Sequence, residues 1–162
     1  MSGKSSASEE VVIKEYPNTT EWLDENQVRA VGNLILTNRR LVFLRRAVLS
    51  EKQIEDAQKI SREATAEQLI QFALTLHKKN LQIPLSSIVS ARLGFQLMFQ
   101  LIFHSPKPYL RVSCKTGSRN IKTEHFRFRL PFLKRLLMSE FPTLGWIRAI
   151  NKAVKAQRRA AR

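Results

Sequence analysis

Five cations at the end of the chain have the clearest chemical spacing. Arg148, Lys152, Lys155, Arg159 and Arg162 fall at i, i+4, i+7, i+11 and i+14. At about 100° per residue they make one helical stripe roughly 80° wide. Ile147, Ile150, Ala153, Val154 and Ala161 lie on the opposite side, and no acid interrupts the run from Phe141 to Arg162. Such a face can hold anions: acidic side chains, an anionic bilayer or phosphates. The alternative is a helix whose apolar side packs while its basic side is solvated, with cations favoured near the C-terminus by the helix dipole.

A second basic group is expected on a hairpin. If the strand Tyr109–Lys115 pairs with the following strand around a turn at 116–124, then Lys115 faces His125. Ser113 then faces Arg127, and Arg111 faces Arg129. Like charges directly opposite destabilise a sheet, so this register would call for a bound anion or partner. A one-residue slip would remove the argument. Arg119 and Lys122, in the turn, add to the patch. The alternative is that the long side chains splay into water.

Catalytic patterns are poor. His77, His104 and His125 lack metal-ligand spacing. Cys114 alternates with Leu110 and Val112, as a core residue would. Gly3-Lys4-Ser5 resembles the end of a phosphate loop, but no strand precedes it. No carboxylate pair stands near a histidine. The residues therefore point to a protein that is not an enzyme and takes no metal or cofactor.

The elements that must position these cations follow from patterning. Residues 1–10 are polar and serine-rich, and are expected to form a disordered tail. Val11–Tyr16 and Thr19–Leu23 are strand-like, broken at Pro17-Asn18. Ala30–Thr37 and Arg40–Arg46 read as a hairpin around Asn38-Arg39. Residues 50–79 change texture. Ser50 with Gln53 and Thr65 with Gln68 have capping-box spacing, and Leu69, Ile70, Ala73, Leu74 and Leu76 give a helical face. A helical segment outside the main core is expected there, one whose removal leaves a folded domain.

Strand patterns return with Ile83–Leu93. Phe95, Leu97, Phe99, Leu101 and Phe103 then occupy alternate positions, and the favoured reading is core. Tyr109–Lys115 and a strand presenting Phe126, Phe128 and Leu130 follow. Next come a short helical piece, Phe132–Phe141, and a longer helix, Leu144–Arg158. The tally is seven strands, counting 19–24 as the first, and a terminal helix. The expected class is α+β, mostly β: one domain over 11–158, then a basic tail at 159–162.

Composition agrees with a single domain. The 162 residues carry a net charge of +15, and residues 81–162 account for +14 of it. That asymmetry points to an anionic partner, or else to a solvated surface that resists aggregation. One cysteine allows no internal disulfide. No apolar run approaches the roughly 20 residues of a membrane span, and the N-terminus does not read as a signal peptide. A cytoplasmic location is expected, extending to peripheral attachment at the inner membrane face.

The stretch VGNLILTNRRLVFL, Val31–Leu44, resembles the signature of GRAM domains and related bacterial pleckstrin-homology-like domains. The matching residues are Gly32, Leu34, Leu36, Thr37, Arg40, Leu41 and Phe43. Ile83–Arg92 is similar to the family's next strand. Gly145–Ala153 resembles the helix that closes such barrels, with Trp146 at its characteristic tryptophan. The resemblance implies a seven-strand antiparallel barrel capped by a C-terminal helix, here with a helical insertion at about 50–79 between strands 3 and 4. It implies binding of lipid or protein ligands rather than catalysis. The stretch matching the family's basic first loop, Asp24–Val31, has two acids and only Arg29. The anion-facing surface is therefore expected elsewhere, at Arg148, Lys152, Lys155, Arg159, Arg162, Arg111, Lys115, Arg127 and Arg129. The first expected partner is an acidic protein or peptide, and an anionic membrane is the second. Nucleic acid comes third, since no aromatics interleave the basic stripe for stacking.

Overall fold

The computed structural model describes residues 9–24, 27–46, 50–61, 64–78, 80–96, 107–117, 120–129 and 142–161. In chain order the elements are β1 (Val12–Asp24), β2 (Gln27–Thr37), β3 (Arg40–Arg45), α1 (Glu51–Ser61) and α2 (Ala66–Thr75). Then come β4 (Leu81–Pro84), a 3₁₀ turn at Leu85–Ser87, β5 (Ile88–Gln96), β6 (Lys107–Thr116), β7 (Asn120–Phe128) and a terminal helix, α3 (Pro142–Ala160). The strands form one open antiparallel sheet in the order β4-β3-β2-β1-β7-β6-β5.

Two expected strands differ in extent. Val11–Tyr16 and Thr19–Leu23 belong to one strand, β1, which slips register between Tyr16 and Thr20, at Pro17-Asn18. Proline offers no N–H to a ladder, so the break appears as a bulge rather than a strand end. Beyond it, Thr20–Leu23 pairs with both β2 and β7. Conversely, Ile83–Leu93 is not one strand. The 3₁₀ turn after Pro84 divides it, and β5 runs on to Gln96. Most of the alternating run Phe95–Phe103 lies outside the described residues, as do Leu130 and the piece Phe132–Phe141.

The hairpin around Asn38 forms as its residues require. Thr37 Oγ1 accepts from the amides of Arg39 (3.1 Å) and Arg40 (3.0 Å), the local bonding that favours threonine in turns. At Gly32 a Cβ would stand 2.0 Å from the Leu44 carbonyl oxygen, so β2 and β3 can approach here only at a glycine. Between β6 and β7, Gly117 takes φ +77°, a turn conformation that favours glycine.

One main core joins the inward side chains of β2–β7 to α3. Leu34, Leu36, Leu41, Phe43, Ile83, Leu110, Val112, Cys114 and Phe126 meet Trp146, Ile150, Ala153 and Val154 there. On the outer face of β2 and β3, Ile35 and Val42 form a smaller cluster with Ile70 of α2. Both capping boxes form. Thr65 caps α2 with Gln68, and the Ser50 amide donates to Gln53 Oε1 at 2.9 Å. The 50–79 segment thus lies outside the main core but does not stand free, since Ile70 is buried against the sheet.

Candidate functional site

α3 begins at Pro142, a residue suited to a first helical turn because its missing N–H would be unpaired there anyway. Thr143, Trp146, Ile150, Ala153 and Val154 are buried at helical spacing. Trp146 stacks on Phe128 with ring centroids 5.7 Å apart. Lys14 Nζ lies 5.6 Å from the Trp146 ring centroid.

The helix is also tied along its side to β5, an edge strand. Asn151 Oδ1 accepts from the Ala91 amide (3.3 Å), and Asn151 Nδ2 donates to the Ala91 carbonyl (3.2 Å). One guanidinium nitrogen of Arg158 donates to the Ile88 carbonyl at 3.0 Å. Peptide strand addition beside this helix, a common docking mode for barrel edges, therefore meets backbone groups that are already occupied.

Arg148, Lys152, Lys155 and Arg159 are all exposed. At about 100° per residue they begin some 40° round the helix from the Asn151 line and are centred opposite the buried face. None of the four has an ion pair among the described residues. Arg162 lies outside the described residues.

The hairpin register differs from the one expected. Arg111 is opposite His125, Ser113 is opposite Thr123, and Lys115 is opposite Ile121. The inferred pairs of Arg111 with Arg129, Ser113 with Arg127 and Lys115 with His125 do not occur, because β7 begins at Asn120 and the turn is shorter than 116–124. Arg127 and Arg129 both bind the buried carboxylate of Glu21, which lies opposite Arg127 across β1 and β7. One carboxylate thus offsets part of their charge within the fold. Arg111 and Lys115 remain exposed, without an ion pair among the described residues. Lys122 pairs with Glu124 at 2.8 Å, and Trp22 Nε1 donates to the same carboxylate at 2.7 Å.

The signature residues have structural roles. Leu36 and Phe43 are in the core. Thr37 and Arg40 bind Glu10, which is only 1% exposed. Arg40 donates through Nε (2.9 Å) and a terminal nitrogen (2.7 Å) to the two carboxylate oxygens, and the Thr37 hydroxyl donates at 2.7 Å. Burial works against the charge of Glu10, but the hydrogen bonds from Arg40 and Thr37 and the charges of Arg40 and Arg39 outweigh it. Its carboxyl is held below the ordinary range. Glu10 falls in the stretch 1–10 expected to be a disordered tail, yet it is buried and anchored by these contacts. Its one sequence signal is an acid just ahead of the first alternating run.

Cys114 is buried and its Sγ donates to the Lys122 carbonyl at 3.5 Å. Burial, then the Glu124 charge, pushes its thiol up, against the pull of Lys122, so it is a poor nucleophile. Among the described residues no cluster of His, Cys, Asp or Glu could hold a metal ion, and no helix is long and apolar enough to cross a membrane. Comparison with family models, curated proteins and solved structures finds no match to this chain.

Proposed function

We propose that this chain is a non-catalytic, cytoplasmic binding domain of the pleckstrin-homology-like type, nearest the GRAM group, that holds an anionic partner on the exposed face of α3. The fold reading rests on three features. The two sheet edges, β4 and β5, are consecutive in the chain and joined by a three-residue turn, so the sheet must curl back on itself. A terminal helix buries a tryptophan in the core. The Gly32–Phe43 signature occupies the β2–β3 hairpin. In this reading β4 and β5 close a barrel, and α1 and α2 are an insertion.

The functional reading is carried by a contrast in pairing. Arg39, Arg40, Arg127, Arg129 and Lys122 all meet carboxylates. The four α3 cations meet none among the described residues, on a stretch of chain without an acid. An acidic protein or peptide is the first partner, lying on the helix face rather than adding a strand to β5.

Replacing Arg148, Lys152, Lys155 and Arg159 with Gln retains good helix formers, so the fold should survive. Binding to acidic peptide, anionic vesicles and mixed-sequence oligonucleotides should be measured at low and moderate salt. The variant is expected to bind its preferred anion more weakly and with a shallower salt dependence. Arg29→Gln should change little. Equal binding by parent and quadruple variant, at equal salt slope, would make the stripe only a solvated face. A second reading, attachment to an anionic membrane, is favoured by one observation. Ile121, 62% exposed, stands opposite exposed Lys115, and Val89 on β5 is 40% exposed. Apolar side chains beside cations suit a bilayer interface.

A further inference from the structure

On the outer face of β5–β7 one row of residues is basic on three successive strands. Arg92 lies directly opposite Arg111, and Arg111 lies directly opposite His125. Arg92 and Arg111 are exposed, and neither forms an ion pair among the described residues. Glu21, opposite Arg127 at a neighbouring position of the same face, already binds both Arg127 and Arg129. Directly opposed residues in antiparallel strands have Cα atoms about 4.5–5.5 Å apart, and like charges at that spacing repel. The penalty expected from the sequence for Arg111 therefore does exist, but its partner is Arg92.

We infer that this row is a discrete site for a phosphomonoester, held between the Arg92 and Arg111 guanidiniums. The neighbouring rows suit that ligand. On one side Ser90 faces Ser113, and Ser113 faces Thr123, with the two hydroxyl oxygens of the latter pair 3.3 Å apart. These hydroxyls can donate to a third oxygen. On the other side the Tyr109 ring lies across Gly94, where a Cβ would come within 2.4 Å of it, and packs on His125 at 4.9 Å. The ring forms a wall beside the row. A carboxylate brings two oxygens and one negative charge, as Glu21 does for Arg127 and Arg129. A phosphomonoester presents three oxygens and up to two negative charges, enough to balance both guanidiniums and still accept from the hydroxyl row. The ligand is a free phosphomonoester or a lipid headgroup, and the test separates these sources. The site is independent of the α3 reading, since it shares no residue with the α3 stripe.

The test uses the full chain. Inorganic phosphate should be titrated against chloride at equal ionic strength, with backbone amides followed by NMR and the melting temperature recorded. Phosphatidylcholine vesicles containing either phosphatidic acid, a monoester, or phosphatidylglycerol, a diester, form the second arm at matched surface charge. Saturable shifts at Arg92, Arg111 and Ser113 are expected, with a rise in melting temperature. Arg92→Gln and Arg111→Gln should each weaken binding by about tenfold or more, as for loss of charged hydrogen bonds. Without ligand at low salt, both should melt no lower than the parent, because the repulsion is relieved. Arg111→Lys keeps the charge and loses the fork, so it should also weaken binding while remaining folded. The quadruple α3 variant should bind phosphate as the parent does. Phosphatidic acid vesicles retained by the parent and lost by Arg111→Gln assign the headgroup source. Phosphate binding without vesicle binding assigns the free ligand. Phosphate binding unchanged in Arg92→Gln and Arg111→Gln, or absent in the parent in both arms, overturns the site. Weakening in the α3 variant alone overturns it too, and leaves the α3 reading standing.

Discussion

Glu10 and Arg40 show how a single residue fixes a boundary. The bidentate pair is almost dry, with Arg40 at 11% and Glu10 at 1% side-chain exposure. Removing one partner of such a pair leaves the other charge uncompensated, so Glu10→Ala should cost about 3–5 kcal/mol, measured by urea unfolding at neutral pH. The pH dependence has a definite sign. The folded carboxyl titrates below its unfolded value, so its contribution is complete above the ordinary carboxylate range and is lost as pH falls through the folded value. The stability gap between parent and Glu10→Ala should therefore narrow on acidification. Gly32→Ala is a different kind of failure. The new Cβ meets backbone rather than a mobile side chain, and a loss of at least about 1–3 kcal/mol is expected in thermal melts.

At the scale of elements, edge strands and helices support one another. β5 is an edge, and α3 occupies part of it through Asn151 and Arg158. Asn151→Ala leaves the Ala91 amide and carbonyl without these partners. A loss of about 1–3 kcal/mol is expected, with faster hydrogen exchange at Ala91 than at Val112 in the sheet interior. α2 instead covers the outer face of two interior strands, β2 and β3. Its buried Ile70 covers Ile35 and Val42, so Ile70→Ala should cost about 2–5 kcal/mol in chemical denaturation. Deleting 50–79 would bare the same two side chains. The helices themselves were legible as capping boxes and a periodic face. Which side chain would be buried was not: the face expected from spacing included Leu69, which is 37% exposed, because only the sheet beneath selects the contact line.

Across the whole molecule, charge and topology work on different ranges. The excess of +15 is concentrated in residues 81–162, where one acid from elsewhere in the chain offsets part of it. That acid, Glu21, meets two of the cations. What remains repels, so the melting temperature should rise with sodium chloride over the range in which the Debye length falls from about 30 Å to about 8 Å. The quadruple α3 variant should show a smaller rise. Calorimetry at several salt concentrations would check both. An equal response in parent and variant would place the dominant repulsion outside α3.

The sequence by itself determined the local features. Most of the strand alternation, the capped helices, the turn at Asn38, the inward Cys114 and the one-sided basic helix all depend on residues within a few positions of one another, whereas the division of Ile83–Leu93 into β4 and β5 did not show in its spacing. Side-chain spacing and turn chemistry suffice at that distance. Only the tertiary structure decided what the cations touch. Arg158 reaches Ile88, 70 residues away, and Arg127 reaches Glu21, 106 residues away. It also decided that Arg111 opposes Arg92 and His125 rather than Arg129. Strand register is set by where a turn begins and by bulges such as the one at Pro17-Asn18. A shift of one residue there changes every cross-strand pair while leaving each strand's own alternation intact.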